Sequence, residues 1–390
     1  MKTVISLVGL PGAGKSALLR AMQEGQAALV EVPLLRDLMD GGFACFDLDQ
    51  SECFGSGAAS PATVIAEALG EQQYLVNDNV LSVDEISAAG EYRQQLVVVV
   101  ARPWLEQARC KLRYQKCPDP AEQAQAAGRT LSASMLLEHV QEYGLPITYV
   151  DGSDYPLREI TLEEAQEIAA DEQAVPPRMP EHHLLYQQAL VVQGIVIYKA
   201  DDEGPQWEQI RRDAILPVTM DLRGKTLLDI GAAEGNFCWE AVRRGAAYAV
   251  ALEEAAPRVD LMRKIRDAYR LPVAVALLDA KAGCLPELTI HDRLLRYDVV
   301  LLLNVLHHFA EPGPALQSLL AVCDMCIIES PFGIGAEPYR PCLPPIEHSM
   351  ALPPLWVERQ AQAAGFRLAA IENSPQYEGQ RLIYRLEREG

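Results

Sequence analysis

Short apolar runs recur along this chain, and several of them end in an acid or pass straight into glycines. In the first half they occupy residues 1–8, 43–46, 74–78, 96–101 and 147–150; in the second, 226–230, 247–252, 273–278, 297–304 and 325–329. Runs of this length with little polar alternation read as strands buried on both faces, as in a parallel sheet covered by helices. Helical segments fall between them, one opening at Ala17-Leu18-Leu19-Arg20 and others over 162–170 and 355–364. Two further strands, 366–371 and 382–386, finish the chain as an antiparallel end. The expected fold class is α/β, with two doubly wound sheets, one in each half.

The pattern lapses in two places. Val175-Pro176-Pro177-Arg178-Met179-Pro180 cannot continue a helix. The expected organisation is therefore a first domain over 1–155, a connector over 156–180 carrying an acidic helix, and a second domain over 181–390. Residues 181–222 form a helical and irregular cap on the second domain. The other lapse, 330–354, holds seven prolines along with Arg340 and His348. Irregular stretches of this length in compact domains are usually lids or binding loops.

With 390 residues, two domains can each bury a core of their own. The net charge is −20, and the first 175 residues carry 12 Lys and Arg against 26 Asp and Glu. Neither half has the basic excess that binding a phosphate backbone requires, which disfavours long nucleic acid without excluding it. The opening apolar run is too short for a signal peptide or a membrane span. The cysteines are scattered and odd in number. Cys323 and Cys326 lack a second pair at metal spacing and read as a buried structural pair. The expected compartment is the cytoplasm.

Candidate chemistry in the first half begins at Gly9-Leu10-Pro11-Gly12-Ala13-Gly14-Lys15-Ser16. This is G-x-x-x-x-G-K-S between a strand and a helix, the context in which the motif is specific. Gly9, Gly12, Ala13, Gly14 and Ala17 bring backbone N–H groups to phosphate oxygens, and the helix start adds its positive end. Lys15 reaches the terminal phosphates and Ser16 the Mg²⁺ ion. Asp47 and Asp49 follow the second strand and face one cleft, where one accepts a hydroxyl proton and the other orients the acceptor; solvated turn acids are the plainer reading. Glu52 joins them with less support. Asp78, ending the third strand, stands on the metal side. Residues 102–129 concentrate six of the twelve basic residues, with Arg109 and Arg113 on one helix face. They suit a mobile basic flap over transferring phosphate, or simply a solvated face. This order of parts resembles the P-loop small-molecule and polynucleotide kinases over about residues 1–155. The resemblance implies ATP and Mg²⁺ as cofactors, Asp47 and Asp49 serving the acceptor hydroxyl, and Arg109, Arg113 and Arg129 serving the phosphates.

In the second half, Asp229-Ile230-Gly231-Ala232-Ala233-Glu234-Gly235 leads from a strand to a helix with no basic residue in the turn. A pyrophosphate is a poor guest there. An amino-acid moiety can lie against such a turn, with Asp229 available to its ammonium. Glu253 ends the next strand and suits the two hydroxyls of a ribose. Asp279 ends the third strand, placed to meet an adenine amino group, and Asn304 ends the fourth. These pieces resemble the class I S-adenosylmethionine-dependent methyltransferases, with a Rossmann-like fold, over about residues 185–390. By that resemblance Asp229, Gly231, Gly235, Glu253, Asp279 and Asn304 line an S-adenosylmethionine site. A Rossmann dehydrogenase is the weaker alternative because the third glycine is missing. His307 and His308 sit where the methyl acceptor approaches; one of them is a candidate base, and a packed or capping histidine is the alternative for each.

The expected function is therefore bifunctional: a kinase that phosphorylates a hydroxyl of a small molecule, and a methyltransferase that acts on the same or a related acceptor. Arg340 either grips an anionic acceptor or is a plain surface arginine. The alternatives are an NTPase that gates the methyltransferase, and a nucleic-acid end- or base-modifying enzyme.

Overall fold

Strands form where the apolar runs lie, and most pair in parallel because helices carry the chain back between them. A computed structural model describes residues 2–9, 13, 15–46, 60–77, 82–89, 92–116, 132–170, 189–199, 203–278, 288–290, 293–331, 352–375 and 381–389. Two compact units emerge, Met1–Glu172 with Thr289–Arg293, and Gln173–Leu288 with Leu294–Gly390.

The first unit runs β1 (Thr3–Val8), α1 (Lys15–Gln23), β2 (Val30–Glu31), α2 (Pro33–Gly41), β3 (Ala44–Phe46), α3 (Pro61–Leu69), β4 (Tyr74–Asn77) and α4 (Val83–Ala88). It continues with β5 (Arg93–Val100), α5 (Pro103–Lys116), α6 (Ala133–Glu142), β6 (Ile147–Asp151), β7 (Leu157–Ile160) and α7 (Leu162–Ala169). The strand order is β2-β7-β6-β5-β1-β4-β3. Only the β6–β7 pair is antiparallel. One face buries Leu96, Val98 and Val100 against Leu136, Leu137 and Val140 of α6. Elsewhere Val4 and Leu75 pack with Ile65, Leu69 and Ile86.

Two expectations change here. Strand 147–150 does not close the sheet, because β7 and β2 extend it. The segment 157–169, expected as connector, is a strand and a helix built into the first core: Ile160, Ala165, Ile168 and Ala169 pack with the β5 residues. Leu162, Ala165, Ile168 and Ala169 form one apolar stripe at helical spacing, and a Thr161–Glu164 capping box starts the helix. The acids of this segment are only its solvent face.

The second unit opens with a hairpin, β8 (Ala189–Val192) and β9 (Ile195–Lys199), followed by α8 (Gly204–Ile215). Part of the expected helical cap is thus a sheet. Gln193 and Gly194 both have positive φ, as two-residue hairpin turns require. The main elements are β10 (Thr226–Ile230), α9 (Asn236–Arg243), β11 (Tyr248–Glu253), α10 (Ala256–Tyr269) and β12 (Val273–Leu277). A small pair, β13 (Leu288–Ile290) and β14 (Arg293–Leu295), precedes β15 (Tyr297–Leu303), α11 (Pro312–Ala321), β16 (Cys323–Pro331), α12 (Pro354–Ala363), β17 (Phe366–Asn373) and β18 (Arg381–Arg388). The order is β12-β11-β10-β15-β16-β18-β17, and β18 runs antiparallel to both its neighbours. The core gathers Leu227, Ala251, Val275 and Leu301 around Phe237, Trp239, Met262 and Ile265. Cys323 and Cys326 are fully buried on β16.

Where neighbouring strands of a parallel sheet send their connections in opposite directions, ligands bind beside their carboxyl ends. In the second unit that place lies between β10, which goes on to β11, and β15, which goes on to β16; in the first, the chain leaves β1 from the middle of the sheet, between β5 and β4. Among the described residues, no helix is long and apolar enough to cross a membrane.

Candidate functional site

In the second unit, the turn after β10 has positive φ at Gly231, Ala233 and Gly235. A Cβ on Gly235 would lie 2.9 Å from the Trp239 ring and 3.1 Å from Met262 Sδ, so glycine is required there. The backbone N–H groups of Gly231 and Ala232 both donate to Leu252 O, which pins the turn to β11. Glu253 tightens the same clip: its carboxylate accepts from Ala233 N at 2.9 Å and from Ala255 N at 3.0 Å. Arg258 stands 3.5 Å from Glu253 Oε1 and 3.6 Å from Glu234 Oε1.

Asp229 is 1% exposed, and its Oδ2 has no hydrogen-bond partner among the described residues. Burial pushes its carboxyl up to about 7; the Arg211 charge pulls it down and the Glu253 charge pushes it up. An unmet buried oxygen costs about 1–3 kcal/mol. A turn that keeps such an oxygen suits a donor brought by a ligand. The ammonium of an amino-acid moiety fits that requirement.

Across the switch point, Asn304 ends β15 with φ at +59°, and its N–H donates to Glu329 O. Its side chain is engaged by protein groups: Nδ2 donates to Glu329 Oε2 at 2.9 Å, and Arg381 donates to Oδ1. Glu329, fully buried at the end of β16, also accepts from Arg211 Nη2 at 2.8 Å and from Ser374 Oγ. The Arg211 guanidinium lies over the Phe237 ring, 5.2 Å from its centroid.

His307 and His308 stack with ring centroids 4.1 Å apart. His307 is buried, with Nδ1 3.3 Å from Ser330 Oγ. Burial, with His308 and Arg381 adding to it, pushes its pKa down to about 3. It is a weak proton acceptor and packs as a neutral ring; His308 is exposed. Asp279 and Arg340 lie outside the described residues.

In the first unit, Lys15 opens α1 and its Nζ donates to Gly9 O at 2.6 Å. Gly9 and Ala13 are packed tightly against the strand ends beside them. A Cβ on Gly9 would sit 2.6 Å from Val99 O, and a Cβ on Gly152 only 1.8 Å from Ala13 O. Ala13 is buried and Ala17 half-buried. Arg109, expected on a flap over the phosphates, lies on α5 and donates to Gly152 O at 2.7 Å and to Ser153 O at 3.1 Å. It braces the turn behind the loop. Ser16 lies in α1 and Arg113 in α5. Gly12, Gly14, Asp47, Asp49, Glu52, Asp78 and Arg129 lie outside the described residues.

Sequence reasoning missed several residues that the fold brings to these sites. Glu106, on the first turn of α5, is 7% exposed, and burial pushes its carboxyl up to about 8 while Arg109 and Lys15 pull it down. It is the one acid among the five basic residues between Arg102 and Lys116, which was the available signal. Arg211 and Glu329 left less trace. An acid closing the apolar run Met325–Ile328 marks Glu329, whereas nothing local marks Arg211.

No family model matches this chain, and comparison with curated proteins gives no match. Among solved structures, magnesium protoporphyrin IX methyltransferase from Synechocystis PCC 6803 with bound SAH is similar at 15% identity, over 47% of this chain and 84% of that one, with a TM-score of 0.37. A putative S-adenosylmethionine-dependent methyltransferase from Listeria monocytogenes is 13% identical over 47% of this chain and all of that one, with a TM-score of 0.36. The Burkholderia thailandensis 1,6-didemethyltoxoflavin-N1-methyltransferase is 16% identical over 47% and 77%, again at 0.36. At these scores the likenesses carry no argument about the site, whose reading rests on its own geometry.

Proposed function

We propose that the second unit is an S-adenosylmethionine-dependent methyltransferase and the first an ATP-dependent kinase for a small-molecule hydroxyl. One observation carries the methyltransferase reading. A buried acid with an unmet oxygen, Asp229, adjoins a glycine turn without basic residues at the switch point of a parallel sheet. Asp229 would hold the donor's ammonium, Glu253 its ribose, and the Gly231–Gly235 turn its amino-acid backbone. The donor supplies a methyl group on a sulfonium, which leaves as a neutral thioether. The protein orients the acceptor and takes up its proton, with His308 as the base that reaches solvent.

For the first unit, the supporting feature is the glycine motif with Lys15 after the carboxyl end of β1, in the middle of the sheet between β5 and β4. Lys15 and the N-terminus of α1 would hold the triphosphate, with Ser16 and Asp78 on the Mg²⁺ side. Asp47 and Asp49 would serve the acceptor. The tie of Arg109 to the Gly152–Ser153 backbone favours a second reading, an NTPase that gates the methyltransferase, because it takes one arginine away from the phosphates.

The test is a metabolite screen with the full chain, ATP–Mg²⁺ and S-adenosylmethionine, scoring ADP, free phosphate, phosphorylated products and S-adenosylhomocysteine. Lys15→Ala abolishes the ADP signal and leaves S-adenosylhomocysteine binding intact. Free phosphate without a phosphorylated product would support the gating reading. No binding of either nucleotide would refute the proposal.

A further inference from the structure

The arginine beside Asp229 is the least expected feature of the second site. A methyl donor carries positive charge on its sulfonium and its ammonium, so a buried cation next to its binding acid is at first sight a fault. Arg211 is nonetheless 7% exposed and stands at the same end of the sheet: its guanidinium covers Phe237, in the first turn of the helix that the glycine turn opens, and reaches Glu329, which pairs with the end of β15 beside β10. It is also firmly placed. Glu329 accepts from its Nη2 at 2.8 Å, and the Phe237 ring lies beneath it, 5.2 Å to the centroid. Glu329 is in turn held by Asn304 and Ser374, which come from two other segments. A cation fixed this closely is not a stray surface charge.

The apparent fault disappears once the whole amino-acid end is considered. An α-amino acid at neutral pH is a zwitterion whose two charges are separated by one carbon, about 3 Å. Its complement is a carboxylate and a cation at one site, and Asp229, before the glycine turn, and Arg211, over the first turn of the helix after it, supply one of each. A guanidinium has five N–H donors in a planar fork and can serve two carboxylates at once. The bond to Glu329 is therefore compatible with a second carboxylate.

We propose that Arg211 receives the carboxylate of the donor's amino-acid end while Asp229 receives its ammonium, and that Glu329 is the positioning residue that aims the guanidinium. This rests on the methyltransferase reading and adds the group that discriminates a complete amino-acid tail from a truncated one. It also gives the cap a task. Arg211 comes from α8, ahead of the sheet, so the cap helix would complete the donor site.

Isothermal titration of the full chain compares S-adenosylhomocysteine, which has the zwitterionic tail, with 5′-methylthioadenosine, which lacks it. Arg211→Met keeps an unbranched apolar side chain of similar reach and removes the guanidinium that lies over Phe237. The expected result is a loss of about 10- to 100-fold for S-adenosylhomocysteine, the scale of a hydrogen-bonded charge, with 5′-methylthioadenosine unchanged within about twofold. Arg211→Lys recovers part of the loss, and Glu329→Gln gives a smaller selective loss. Equal weakening of both ligands, or no weakening of either, would overturn the assignment of Arg211. If the natural protein binds neither ligand, the methyltransferase reading itself falls. Should Arg211→Met fail to fold, Arg211→Lys and Glu329→Gln make the same comparison: a selective loss supports the clamp and parallel losses overturn it.

Discussion

With the donor's ammonium on Asp229, as proposed, stability and donor affinity should respond to pH with opposite signs, and both effects can be worked out from the burial of that acid. Its carboxyl moves from 3.8 to about 7 on folding, chiefly because burial disfavours the charged form. At pH 6 about one-tenth of the empty protein carries an ionised Asp229, and at pH 8 about nine-tenths does. A cationic ligand group binds the ionised form. Affinity for S-adenosylhomocysteine should therefore rise about tenfold from pH 6 to pH 8 and level off above. The empty protein shows the reverse trend. Because the acid's folded pKa is raised, the native state holds the extra proton, so stability declines as pH climbs from about 4 through 7 and the penalty saturates beyond. The linked cost is at most about 4 kcal/mol at pH 8. Asp229→Asn, nearly isosteric and uncharged, should then raise the thermal midpoint of the empty protein at pH 8, weaken S-adenosylhomocysteine by tenfold or more, and erase the pH dependence of its binding. Titration calorimetry at pH 6, 7 and 8, in two buffers of different ionisation enthalpy, reads both affinity and proton release. Equal affinity at pH 6 and 8, with no proton released at pH 6, would refute the coupling.

Gly235→Ala drives a methyl group against the Trp239 ring and Met262 at a positive φ. It should cost about 2–3 kcal/mol in chemical denaturation and weaken S-adenosylhomocysteine binding. In the first unit, Gly152→Ala places a Cβ 1.8 Å from Ala13 O, so Ala13 must shift. ATP–Mg²⁺ binding measured by calorimetry should fall by tenfold or more while S-adenosylhomocysteine binding stays unchanged; normal ATP affinity would show that the loop tolerates the displacement. His307→Asn should lower stability by about 1 kcal/mol through loss of packing and the Ser330 contact. It should leave the pH profile of methyl transfer between 5 and 8 unaltered, because His307 is neutral throughout that range.

The chain's own order of residues determined the α/β class, the place of most strands, and the glycine turn after β10. These are local properties: an apolar run of five buries as a strand wherever it is, and a glycine turn needs only its own φ angles. Asp229, Glu253 and Lys15 were legible for the same reason, since each stands directly at the end of a strand or at the start of a helix. Acids in the 157–169 segment hid an apolar stripe, so its place in the first core became visible only against β5. Tertiary structure alone decided which groups meet. Glu106 comes beside Lys15, and Arg211 reaches Asp229, Phe237 and Glu329 from segments 18 to 118 residues away in sequence. It also decided protonation, because a carboxyl titrates near 4 or near 7 according to what surrounds it, and burial is a property of the packed chain.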